Sequence, residues 1–248
     1  MTDVDSESTM TEIESDADAA DESPPPDVSD DADRDGDTDT APLENDEERE
    51  VLAALYEFAA GAFADPPDAA AVSRIAEVGL PEPEAAPNER LERGFELLDG
   101  WRRSVDDPEA VATALERRHT SLFVGPRPDL QIHESYYADD FLGAPLARVQ
   151  GTYAELGIEP GPDLREEGDH AAVELAALAL LTRREAEEPT EKAWFLREHG
   201  WWFDRLADDL AETGEDGFYR AVGAIAAGLI AFDANRHDVD LDRPDAES

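Results

Sequence analysis

Six carboxylate or imidazole side chains in two short stretches have the chemistry to hold a ligand. The first stretch is Glu134-Ser135-Tyr136-Tyr137, and the second is Glu166-Glu167-Gly168-Asp169-His170-Ala171-Ala172-Val173-Glu174-Leu175. Carboxylates beside an imidazole can ligate a metal or move a proton. His170 and Glu174 stand four apart, so on a helix they share a face. One chemistry to weigh is a carboxylate-bridged di-metal enzyme in a helical bundle. That site needs two Glu-x-x-His motifs on different helices and a glutamate from each of two others. Glu116-x-x-His119 and Glu167-x-x-His170 have the spacing. With 31 glutamates in the chain, two such matches among five histidines carry little weight. Glu167 also precedes the expected helix, and Arg117-Arg118 would set positive charge beside the metal. A plainer reading makes Asp169 a helix N-cap with His170 at the first helical position. Neither stretch forms a catalytic triad or a glycine-rich phosphate loop. Cysteine is absent, which excludes disulfides, Cys-ligated zinc and thiol catalysis.

The elements that must position these residues read as helices throughout. Asn45 caps a segment that opens with Asp46-Glu47-Glu48, acids suited to the positive end of a helix dipole. Its apolar stripe is Val51, Leu52, Leu55, Phe58, Ala59 and Ala62, and Pro66-Pro67 ends it. Helices are predicted over 68–78, 88–103 and 107–123, before Gly125-Pro126-Arg127-Pro128 opens a loop. Further helices are predicted over 144–156, 168–187, 190–212 and 216–235. From Ala171 to Leu181 only Glu174 is polar, and a helix apolar on nearly every side is normally central to its bundle. No segment shows a period of two. The fold class is therefore all-α, a single-domain bundle of about eight helices spanning 47–237.

Residues 1–46 carry 18 acids against the single base Arg34, with Pro24-Pro25-Pro26 and almost no large apolar side chain. Such a segment cannot bury enough surface to offset its ordering entropy, so a disordered acidic arm is expected there. Residues 238–248 read as an acidic tail. The net charge is −43, and Lys192 is the only lysine beside 19 arginines. Carboxylate excess with lysine depletion suits a cytosol of molar salt, where the Debye length is about 3 Å and long-range steering is lost. No basic patch exists to grip nucleic acid. No run reaches the roughly 18 apolar residues that cross a bilayer, and the N-terminus lacks a signal pattern, so a cytoplasmic protein is expected.

Several short motifs, in order, resemble the TorD/DmsD family of cytoplasmic chaperones for molybdenum-containing redox enzymes. Glu166, Gly168, Asp169 and His170 follow the family's Glu-Pro-x-Asp-His pattern, with Glu167 in the proline position, and Glu174-Leu175 continues it. Upstream, His119-Thr120-Ser121-Leu122-Phe123-Val124-Gly125 is similar to its aromatic-x-x-Leu-Phe-x-Gly segment, with histidine for the aromatic residue. Downstream, Phe195 and His199 followed by Trp201-Trp202 resemble its Phe-x-x-x-His segment. The resemblance runs from about Val51 to Phe232. It implies a binding protein, not an enzyme, with no cofactor or metal of its own. Its partner would be the catalytic subunit of a molybdopterin oxidoreductase of the dimethyl sulfoxide/trimethylamine N-oxide reductase class, held by its twin-arginine leader or apo surface until the cofactor is inserted. A leader offers two arginines and an apolar stretch, which require an apolar groove with carboxylates at one end. Glu134, Asp139, Asp140, Glu166 and Asp169 are the expected carboxylates. Tyr136, Tyr137 and Phe141 are expected as the adjoining wall, with His170 orienting Asp169 or bonding the peptide backbone. Glu174 completes the expected set. A monomer and a homodimer both remain open, since helices in this family can exchange between subunits.

Overall fold

Caps and apolar spacing set the helix boundaries in the computed structural model, which describes residues 46–125, 127–138, 143–159, 161, 166–213 and 217–243. The expected acidic arm falls outside these residues except for Asp46, as does the end of the expected tail. The described residues lie within one compact unit that spans Thr40–Ser248. Ten α-helical segments occur among them and no strand. They are α1 (Asp46–Ala64), α2 (Ala69–Glu77), α3 (Glu89–Arg103), α4 (Pro108–Phe123), the single turn α5 (Glu134–Tyr137), α6 (Ala144–Glu155), α7 (Ala171–Arg184), α8 (Pro189–His199), α9 (Phe203–Glu212) and α10 (Gly217–Arg236).

Local chemistry explains the starts and stops. Asp68, Asn88 and Asp107 each accept a hydrogen bond from a backbone amide in the first turn of α2, α3 and α4, and Pro108 takes the first position of α4, where its missing N–H costs nothing. The helix predicted over 190–212 is broken into α8 and α9 by a 3₁₀ turn, Gly200–Trp202. Gly200 sits at the break because a Cβ there would come within 2.8 Å of Leu241 Cδ2 and 3.2 Å of Ile230 Cγ2. That break, and the helical form of the Glu134–Tyr137 turn in a stretch expected as loop, raise the helix number from eight to ten.

The core is organised around α10, which packs on α3, α9 and α1, while α1 also packs along α7. By length and mean hydropathy α10 could cross a membrane, yet 78% of its apolar window is buried inside the bundle, which accounts for its composition. It approaches α3 closely through two glycines. A Cβ at Gly228 would lie 2.6 Å from the Leu91 nitrogen, and one at Gly94 would lie 2.9 Å from the Ile225 nitrogen. Asn88 bolts the same pair, donating from Nδ2 to the Gly228 carbonyl at 2.9 Å while its Oδ1 caps α3.

At one end, four helices meet on a buried charge cluster. Lys192 of α8 is fully buried, 2.5 Å from the Asp233 carboxylate of α10 and 3.5 Å from Glu185 just past α7. Arg236 pairs with both acids, and Tyr56 of α1 donates to Asp233 at 2.7 Å. Burial pushes the Lys192 ammonium down, against the pull of Asp233. Burial also opposes ionisation of Glu185, but His237, Lys192 and Arg236 outweigh it and hold that carboxyl at about 2. Ion pairs this deep are not screened as surface pairs are, and removing one member would strand the others.

Candidate functional site

The two stretches that stand out in sequence are joined by backbone. Glu134 N–H donates to the Asp169 carbonyl at 2.8 Å, and Ala171 N–H donates to the Ile132 carbonyl at 2.9 Å. His133 and His170 thereby form an isolated antiparallel bridge, which clamps the loop before α5 to the turn before α7. Asp169 does not cap its own helix. Its Oδ2 accepts from the Ser135 amide at 3.3 Å and so serves α5, across 34 residues. The N-cap of α7 is His170, whose Nδ1 accepts from the Ala172 amide at 3.1 Å. Burial, assisted by the neighbouring His133, pushes the His170 imidazole down to about 4, so it is neutral near pH 7.

Beneath this clamp lies a buried polar network. Glu134 is fully buried and accepts from Trp201 Nε1 at 3.1 Å, while its other oxygen stands 2.8 Å from His199 Nδ1. His199 Nε2 meets Thr152 Oγ1 of α6 at 2.9 Å. Glu174 is equally buried and accepts from Trp202 Nε1 at 2.9 Å. Burial first, and the adjacent Glu134 second, push the Glu174 carboxyl well above the ordinary carboxylate range. Both causes disfavour a second negative charge beside Glu134. Tyr153 of α6 closes the set by donating to the Gly168 carbonyl at 2.9 Å. The network ties α5, α6, α7 and the Gly200–Trp202 turn into one frame.

The expected ligand residues thus separate by depth. Glu134, Asp169, His170, Glu174 and Tyr137 are buried, whereas Tyr136 is exposed and Glu166 half-buried. Tyr137 donates to Asp209 at 2.8 Å and packs against the Trp202 ring, with centroids 5.2 Å apart. Burial and the Asp209 bond push its hydroxyl upward. Asp139, Asp140 and Phe141 lie outside the described residues. The two Glu-x-x-His pairs place no matched ligand set on facing helices. Glu116 points to solvent, His119 bonds the Phe63 carbonyl at 3.2 Å, and Glu167 precedes α7.

A groove lies beside the frame, and the sequence reading missed most of it. It has a volume of about 890 Å³ and runs between α6 and α7. Leu146 and Tyr153 wall one side, Val173 and Leu180 the other, with Ile158 between. Glu159, Glu166 and Glu167 also line it. The signal was the apolar girth of α7: Val173, Ala176 and Leu180 are not fully covered by neighbouring helices. Only the fold shows which of the apolar faces stays open.

Residues 88–208 match the model of a family described as nitrate reductase delta subunit. The matched span contains α3 to α8 and most of α9, and so the clamp, the buried network and the groove. No curated protein matches the chain.

Proposed function

We propose that this chain works as the matched family does, as a chaperone in the maturation of a nitrate reductase-type molybdenum oxidoreductase, and that the groove between α6 and α7 receives its client. Members of that family are chaperones and not catalysts. One observation carries the location: an open apolar groove whose lining includes three carboxylates, Glu159, Glu166 and Glu167. An extended or helical segment with arginines at one end and apolar residues beyond would fit it. The arginines would pair with the acids, and the apolar side chains would cover Val173, Leu180, Leu146 and Ile158. Twin-arginine leaders have that composition, which makes the leader of the oxidoreductase catalytic subunit the client segment in this reading. Arg–carboxylate pairs are short-ranged and bidentate, so they survive salt that abolishes steering. Glu134, Asp169 and Glu174 then act as supports that hold α5, α6 and α7 in place, and not as direct arginine ligands.

The test is calorimetric titration of the protein in molar potassium chloride with leader peptides of molybdenum oxidoreductases. Binding should weaken when Arg-Arg becomes Lys-Lys. The Glu166→Gln/Glu167→Gln double variant should lose about 10- to 100-fold, the worth of one or two charge-assisted hydrogen bonds. Leu180→Glu should abolish binding while the helical signal stays unchanged. Leader affinity untouched by Leu180→Glu would place the client elsewhere and remove the groove from the reading.

A further inference from the structure

The clamp between the two stretches gathers a second constellation, which shares only Glu167 with the lining of the groove. One potential ligand atom each from His133, Glu167 and Asp169 lies within 4.8 Å of the others. Two donors bound to one zinc-like ion at about 2.2 Å stand at most about 4.4 Å apart, so a small rotation of the exposed Glu167 side chain closes the set. The decisive feature is Asp169. It is 1% exposed, and its Oδ1 has no hydrogen-bond partner among the described residues. No lysine or arginine pairs with it among those residues. Its neighbour His170 has committed Nδ1 to the Ala172 amide. A buried carboxylate with an idle oxygen and no cation is costly, and such groups call for a specific explanation.

We infer that His133, Glu167 and Asp169 form a binding site for one divalent transition-metal ion of the zinc class. One imidazole nitrogen and two carboxylate oxygens are borderline donors that suit such an ion better than magnesium or calcium, which prefer all-oxygen shells. The ligands come from both sides of the clamp. Backbone bonds of 2.8 Å and 2.9 Å fix His133 and Asp169 before any ion arrives, which lowers the ordering cost of binding. Glu167 lies on the solvent side and leaves an entry path and an open fourth position. The ion would neutralise Asp169 and pin the loop before α5 to the turn before α7. Glu167 also lines the groove, but His133 and Asp169 do not, so the ion site is tested on protein free of any client.

The experiment is calorimetric titration of chelator-stripped full-length protein with zinc chloride in molar potassium chloride, paired with absorption spectra on loading with cobalt(II). One saturable ion per chain is expected, with visible cobalt bands of a low-coordinate nitrogen–oxygen site. Glu167→Gln, an exposed change that cannot upset the core, should weaken binding at least 10-fold. Asp169→Asn should weaken it further, and Glu155→Gln, an exposed acid of α6 outside the set, should leave it unchanged. Multiple weak sites with equal affinity in all three variants would mean diffuse binding to surface carboxylates and would overturn the assignment. Full zinc affinity in Glu167→Gln, or no saturable binding by the parent protein, would overturn it as well.

Discussion

Replacing Glu134 with alanine separates two pictures of the site by their effect on stability. If Glu134 stood at a groove mouth to receive arginine, its loss would cost binding and leave the fold intact, since exposed substitutions usually stay within about 0.5 kcal/mol. Its actual setting is the opposite: full burial, with Trp201 Nε1 at 3.1 Å and His199 Nδ1 at 2.8 Å. Alanine leaves both partners buried and unanswered. Each stranded polar group costs about 1–3 kcal/mol, so the sum is about 2–6 kcal/mol. The lower part of that range, about 3 kcal/mol, is the expected loss. That is a large share of the ~5–15 kcal/mol by which folded domains are stable. Urea denaturation followed by circular dichroism, at constant molar potassium chloride, measures it directly, with Glu159→Ala as the exposed control. A loss under about 1 kcal/mol for Glu134→Ala, indistinguishable from the control, would refute the buried network as the frame of the site.

Two further outcomes follow from the packing and charge of the bundle. At Gly228 an alanine Cβ would meet the Leu91 nitrogen at 2.6 Å, whereas nothing lies within 4 Å of a Cβ at Gly61. Both changes gain the same helix propensity, so Gly61→Ala should stabilise by about 0.5–1 kcal/mol and Gly228→Ala should fall about 1–3 kcal/mol below it in the same urea assay. Equal midpoints would deny the close approach of α3 and α10. Stability should also fall in acid through Glu185, whose carboxyl is held at about 2 in the fold against 4.5 when free. A depressed carboxyl contributes fully above its unfolded value and loses that contribution as pH drops toward its folded value. The loss therefore lies between about pH 4.5 and 2, at most about 1.4 kcal/mol per pH unit for this group. Glu185→Gln should flatten that segment of the stability–pH curve, and an unchanged slope would remove Glu185 from the account.

The helices were legible because their signals are local. Asn88, Asp107 and the apolar rows mark where chains coil without reference to anything distant, and seven of the eight predicted segments appear within a few residues of their expected ends. The eighth, over 190–212, has no local warning strong enough, since Gly200 is a modest helix breaker and its need arises from Leu241 and Ile230. The turn α5 is one helical turn held by Asp169 from 34 residues away, which no window of sequence displays. Asp169 serves the amide of Ser135 in α5 and not the start of α7, because a carboxylate's reach depends on where the chain returns.

Periodicity and composition are enough to make this protein an all-helical bundle with an excess of carboxylate, and they mark the Glu-Ser-Tyr-Tyr and Asp-His stretches as unusual. Those properties depend on periodicity and composition, which are written in consecutive residues. Which acids are reachable depends on how the helices pack. Glu134 and Glu174 look no different from Glu159 and Glu167 in a list of residues, yet the first two are buried under tryptophan N–H donors and the last two line an open groove. That packing also turns Lys192, the single lysine in an acid-rich chain, into the centre of a buried charge cluster joining four helices. Burial and long-range pairing arise from the meeting of segments far apart in the chain, and they set whether a carboxylate binds a partner, resists ionisation or holds the frame.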